Sequence, residues 1–147
     1  NARGVFFGIS GRHQQKHFIR AVMEGVTFGL KDSLRLIEKQ NVDIKEIRAI
    51  GGGAKSEVWQ QIMADILGYS INLLNVEEGP AYGAALIAGV GVGLFNSFET
   101  VADNIIKVKK TVQPNKENVK KYKKYYGLYR ELYPSLKNEY KKLSDFN

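Results

Sequence analysis

Ile44-Lys45-Glu46-Ile47-Arg48-Ala49-Ile50 runs directly into Gly51-Gly52-Gly53-Ala54-Lys55-Ser56-Glu57. The first seven residues read as a strand, opened by Asp43 and closed by the three glycines. Ser56 then serves as an N-cap, and Val58, Ile62 and Ile66 repeat at helical spacing to about Leu67. Gly68 ends that helix, as glycine does at the C′ position. A strand, a glycine turn and a helix in this order point to a layered α/β fold. Ligands of open α/β sheets bind where strands end. Glycines leave room there for a ligand against bare backbone, and a helix N-terminus offers N–H groups. By spacing alone, a ligand site and a plain tight turn stay open as alternatives.

The neighbouring segments extend the alternation. Residues 5–9 read as a short buried strand, with Phe6 and Phe7 supplying β-type bulk. From Gln14 the period changes, and Phe18, Val22, Val26, Leu30, Leu34 and Ile37 form one face of a long helix. Gly25 and Gly29 weaken that helix, so close packing against another element is expected at both. Residues 69–76 give a third strand. Glu77-Glu78-Gly79-Pro80 turns the chain, and Pro80 suits the first turn of the next helix. That helix, 81–91, is nearly all alanine and glycine, which allows close approach to a sheet or helix. A short helix at 98–104 and a strand or extended exit at 105–112 follow. Beyond Pro114, residues 115–143 read as a long helix that Pro134 is expected to kink or divide. Its stripe of Tyr122, Tyr126, Tyr129, Tyr133 and Tyr140 reads as packing rather than as a platform for stacking bases. Three good strands are few for a complete sheet, which suggests part of a larger fold.

Composition narrows the function classes. The chain has 147 residues, no cysteine, 44% apolar and 25% charged residues. That is ordinary for a globular domain, and it excludes thiol chemistry and disulfide scaffolds. The apolar stretch at 81–95 is short for a membrane span and is interrupted by glycines. No secretory leader pattern opens the sequence, and a cytoplasmic protein is expected. The net charge of +7 is unevenly placed. Residues 107–142 carry +9 and the remainder −2. The plain reading of the basic segment is a solvated helix face. The alternative is a non-enzymatic binding module whose basic helix recruits an acidic partner such as RNA.

Other motifs fall away. Ala54 and Ala49 stand where a P-loop needs glycines, and Ser56 stands where a dinucleotide fingerprint needs one. Gly89-x-Gly91-x-Gly93 ends a helix rather than opening one. His13 and His17 have the spacing of a zinc-protease helix, but Gln14 replaces the required glutamate, so they read as surface histidines. Glu24, Asp65, Glu77 and Glu78 are each capable of general-base work, and nothing in their spacing selects one.

Four segments in register resemble the FGGY carbohydrate kinases. They are Ala2-Arg3-Gly4 through Gly8, Arg20-Ala21-Val22-Met23-Glu24-Gly25-Val26, the run from Gly51 to Gly68 with Trp59, Gln61, Ala64 and Asp65, and Glu77-Glu78-Gly79-Pro80-Ala81 through Ala85. The tail Leu128-Tyr129-Arg130-Glu131-Leu132-Tyr133-Pro134 is similar to that of members acting on D-xylulose, with gluconate or another sugar as the alternative. The resemblance implies the actin-like, ribonuclease-H-like ATPase fold, of which this chain is the C-terminal portion of the second domain. Residues 1–113 are expected to be that partial ATPase domain, with the basic helix of 114–147 packing on it. It further implies an ATP or ADP site at Gly52, Gly53, Ala54, Lys55 and Glu57. Glu57 stands where other members often have asparagine. The helix at 81–91 matches a connecting motif permitting hinge motion. The parent protein is expected to transfer the ATP γ-phosphate, with Mg2+, to a sugar hydroxyl. The family's catalytic aspartate, phosphate loops and sugar contacts match no position here, so no catalytic, sugar-binding or metal-binding residue is assigned. Homodimerisation through an uncovered face is an expectation; membrane and nucleic-acid partners are not expected.

Overall fold

A computed structural model describes residues 1–76 and 79–146 of the chain. Glu77 and Glu78, with their turn, lie outside the described residues. The element order is α1 (Gln15–Glu38), β1 (Ile47–Ala49), α2 (Glu57–Leu67), β2 (Ile71–Leu74), α3 (Gly79–Gly91), α4 (Phe98–Ile105), β3 (Val108–Val112) and α5 (Lys116–Ser144), with a short 3-10 turn at Gly52–Lys55. The elements form two compact units. One comprises Asn1–Val42, Asp65–Leu67 and Asn115–Asn147; the other comprises Asp43–Ala64 and Gly68–Pro114.

The second unit holds the sheet. Among the described residues three strands are ordered β1-β2-β3. β1 and β2 are parallel, pairing Ile47 with Ile71 and Ala49 with Leu73. β3 returns antiparallel, pairing Val112 with Ile71 and Lys110 with Leu73. Ala49, Leu73 and Lys110 therefore stand in one row across the sheet. Ile62, Met63 and Ala64 of α2, Ile71 and Leu73 of β2, Leu86, Val101 and Val112 are the buried apolar residues of this unit. Polar pairs fasten the strands from their open face. Thr111 Oγ1 donates to Asn72 Oδ1 at 2.7 Å, and Asn72 Nδ2 donates to Glu46 at 2.9 Å. Arg48, then Asn72, hold the Glu46 carboxyl below the usual carboxylate range. The small residues of α3 admit close neighbours at two points. A Cβ added at Gly79 would lie 2.6 Å from Ile50 Cδ1, and one added at Gly89 would lie 2.6 Å from the Phe95 ring.

The first unit is a helical pair. Phe28 of α1 is buried, with the rings of Tyr122, Tyr126 and Tyr129 of α5 at centroid distances of 6.1, 5.8 and 5.2 Å. The tyrosine stripe is thus packing at these positions. Arg20 Nη2 donates to Tyr122 Oη at 2.8 Å, and Tyr122 donates in turn to Glu24 at 2.7 Å. Lys31 reaches the carbonyl of Ile66 while its ammonium sits 5.5 Å from the Tyr126 ring centre. Burial holds the Lys31 pKa below its ordinary value. Asp65 caps α5: Oδ1 accepts from the Asn115 N–H at 2.8 Å and Oδ2 from Asn118 Nδ2 at 2.9 Å.

Three sequence expectations are corrected. Residues 5–9 form no strand, and Val5, Phe6, Phe7 and Ile9 are exposed. A strand needs a hydrogen-bonding neighbour, and none of the described strands pairs with this segment. A Cβ added at Gly25 would meet nothing within 4 Å, and one added at Gly29 would make only an ordinary contact with Tyr129 Oη at 3.8 Å. Both glycines instead line an open groove of about 1090 Å³ within this unit. Pro134 does not divide α5, which continues through it as one helix. No helix among the described residues is long and apolar enough to cross a membrane.

Candidate functional site: the glycine turn between β1 and α2

β1 delivers the chain to Gly51, whose φ of +81° is open to glycine and strained for other residues. The 3-10 turn Gly52–Lys55 follows, closed by the Ala54 N–H donating to the Gly51 carbonyl at 3.1 Å. Ser56 adopts extended backbone and caps α2, its Oγ accepting from the Trp59 N–H at 3.4 Å. The expected N-cap and the expected stop at Gly68, at φ +80°, are both present. Gly51, Gly52, Lys55 and Glu57 are exposed, and Gly53 and Ala54 are half-buried. A ligand can therefore reach backbone of this turn directly.

The turn is close-fitted on its inner side. A Cβ at Gly53 would stand 3.3 Å from Cε3 and Cζ3 of Trp59. That spacing is tight enough that the indole would have to give way. Gly79, the first residue of α3, abuts Ile50, the residue preceding the glycines. Two segments remote in sequence, the end of the β1 segment at Ile50 and the start of α3, are thus brought together.

Glu57 sits in the first turn of α2, where a carboxylate suits the helix dipole. Its carboxylate pairs with Lys110 Nζ of β3 at 3.1 Å. Lys110 also donates to Gln60 Oε1 at 3.3 Å, and Gln60 Nε2 donates to the Ala54 carbonyl at 2.7 Å. Spacing could not reveal Lys110, because 53 positions separate it from Glu57 and only the β2–β3 register makes them neighbours. Gln60 left a fainter signal, an amide that shares the buried, largely apolar side of α2 with Asp65.

The remaining candidates are engaged elsewhere. Asp65 is a helix cap and Glu24 is bonded to Arg20 and Tyr122. His13 Nδ1 bonds the Ser10 backbone N–H, and His17 Nδ1 accepts from the Gln14 N–H at the start of α1. No group of three metal-capable side chains occurs among the described residues.

A glycine turn at the carboxyl end of a sheet strand, opening a capped helix, is the place where open α/β sheets offer backbone N–H groups to a ligand. Residues 1–92 match the C-terminal domain of the FGGY family of carbohydrate kinases, and the chain belongs to that family. It is 43% identical over 135 residues to a xylulose kinase of Staphylococcus epidermidis, covering 92% of this chain and 27% of that protein. It superposes on the ligand-bound xylulose kinase of Lactobacillus acidophilus with a TM-score of 0.84 and 29% identity, over 97% of this chain and 29% of the other. The gluconate kinase of the same organism gives 0.81 and 30%, over 97% and 29%. The fold is accordingly the C-terminal part of the actin-like ATPase architecture of these sugar kinases. The chain spans little more than a quarter of the curated relatives' length.

Proposed function

We propose that this chain is the nucleotide-binding part of an ATP-dependent sugar kinase. The carrying observation is the exposed glycine turn between β1 and the capped N-terminus of α2, in a chain of the FGGY family. The backbone of Gly52, Gly53 and Ala54 lies against the adenosine, with Lys55 and Glu57 at its margin. The bare Cα atoms admit a flat ligand that a side chain would displace. Phosphoryl transfer from ATP to a sugar hydroxyl is in-line, and positioning with charge neutralisation supplies most of its rate. This chain contributes positioning of the nucleotide. Mg2+ travels on the nucleotide phosphates, and its protein ligands lie outside the residues assigned here. D-Xylulose is the acceptor we propose, on the similarity to xylulose kinases at 40–43% identity; gluconate is the second choice. The reaction takes place in the cytoplasm.

Calorimetric titration of the full-length protein with ADP and with adenosine tests the site. Gly53→Leu, checked for folding by circular dichroism, is expected to abolish binding of both ligands. Unchanged affinity in a folded Gly53→Leu protein would remove the assignment. A coupled ADP-release assay with D-xylulose beside gluconate decides the acceptor.

A further inference from the structure

Gln60 is 5% exposed, and within the run 51–68 it is not one of the residues that carry the resemblance. Both ends of its amide are used. Nε2 donates to the Ala54 carbonyl at 2.7 Å, and Oε1 accepts from Lys110 Nζ at 3.3 Å. A buried amide is tolerated only when both ends are paired, so its orientation is fixed by these two neighbours. Holding the Ala54 carbonyl also fixes the Lys55 N–H on the opposite side of the same planar peptide. Lys110 reaches this place because the row Ala49, Leu73, Lys110 crosses the sheet at the level where β1 gives way to the glycines. Its ammonium continues to Glu57 at 3.1 Å.

We propose that Gln60 and Lys110 are positioning residues of the glycine turn. Gln60 locks the Ala54–Lys55 peptide against rotation, and Lys110 orients Gln60 and Glu57 together from across the sheet. This rests on the reading that the turn holds a nucleotide. The Lys110–Glu57 pair has the side chains 47% and 84% exposed. An ion pair so open to water contributes little to stability. A preorganised turn, in contrast, raises affinity by removing the ordering cost of binding. Lys110 is therefore expected to govern nucleotide affinity more than stability, its loss costing the fold only an open ion pair and the 3.3 Å partner of Gln60 Oε1.

The test uses the full-length protein with four variants: Lys110→Met, Lys110→Arg, Gln60→Met and Gly53→Leu. ADP affinity is read by calorimetry, unliganded Tm by circular dichroism, and KM for ATP and for sugar separately. Lys110→Met is expected to weaken ADP binding and raise KM for ATP about two- to tenfold, the effect of one hydrogen bond. Its KM for sugar stays unchanged, and its unliganded Tm falls only slightly, because Gln60 Oε1 loses a long 3.3 Å partner. Lys110→Arg keeps a donor in reach and restores most of the affinity. Gln60→Met weakens binding at least as much as Lys110→Met. Unaltered ADP affinity in Lys110→Met, or an arginine variant as weak as the methionine one, overturns the relay. If Gly53→Leu abolishes binding while Lys110→Met does not, the relay alone is wrong. If a folded Gly53→Leu protein still binds, the nucleotide site is misplaced and the relay falls with it.

Discussion

Asp65 shows how a single carboxylate serves structure rather than chemistry. Its side chain is 1% exposed, and its two oxygens take the Asn115 N–H and the Asn118 amide. Asp65→Ala removes the acceptor of the Asn115 N–H and the half-buried Asn118 amide and is expected to cost about 1–2 kcal/mol. Urea unfolding measures it, and a loss below about 0.5 kcal/mol would contradict the capping role. Tyr122 makes the second residue-scale case. Burial, then its bond to Glu24, raises its pKa from 10.0 to about 12. A tyrosine that is harder to ionise folded than unfolded stabilises the fold while protonated. That contribution is complete below pH 10 and disappears as pH climbs towards 12. Ultraviolet titration of the parent protein beside Tyr122→Phe is expected to show one late-ionising tyrosine missing from the variant. Superimposable late phases would refute the shift. Among residues, the glycine turn was legible because its consequences are local: Gly51 needs positive φ, and Ser56 caps the helix that begins at Glu57. Asp65 was ambiguous in the sequence because its partners lie 50 and 53 positions away.

Helices were more legible than strands. Each helix end is decided within a few residues. Ser56, Ser97 and Asn115 each accept from N–H groups of the following turn. Gly68 adopts the left-handed conformation that stops α2. Gly68→Ala is expected to lower stability by about 1–2 kcal/mol through that backbone alone. Thermal unfolding checks it, and no fall in Tm would show that the helix end relaxes around the change. The expected strand at 5–9 failed for the opposite reason. Its apolar pattern is real, but a strand exists only beside a partner, and pattern says nothing about what stands alongside. Pro134 marks the same divide from the helix side. Pro134 was expected to kink or divide α5; division does not occur, and the helix is held on α1 by Tyr122 and Tyr126 a few turns earlier.

The family was readable over the whole molecule because four motifs kept their order, and order survives without knowledge of contacts. The sheet register, the Gln60–Lys110 link and the composition of each unit were not readable, because they join residues from about twenty to about a hundred positions apart. The first unit has the greatest such reach: Arg20 and Glu24 meet Tyr122 at separations of 102 and 98. This pairing has a consequence for synthesis on the ribosome. Residues 43–64 and 68–114 lie between the two helices of the first unit, so their own unit is translated before α5. Through that interval α1 is already outside, presenting Phe28 without the tyrosines that will cover it. Domains generally fold as units during synthesis, from the N-terminus onward, but here α1 must wait for α5. The nascent chain thus carries a temporary adhesive stripe while residues 43–114 are made, which makes α1 the natural grip for a chaperone and slow elongation a hazard to yield.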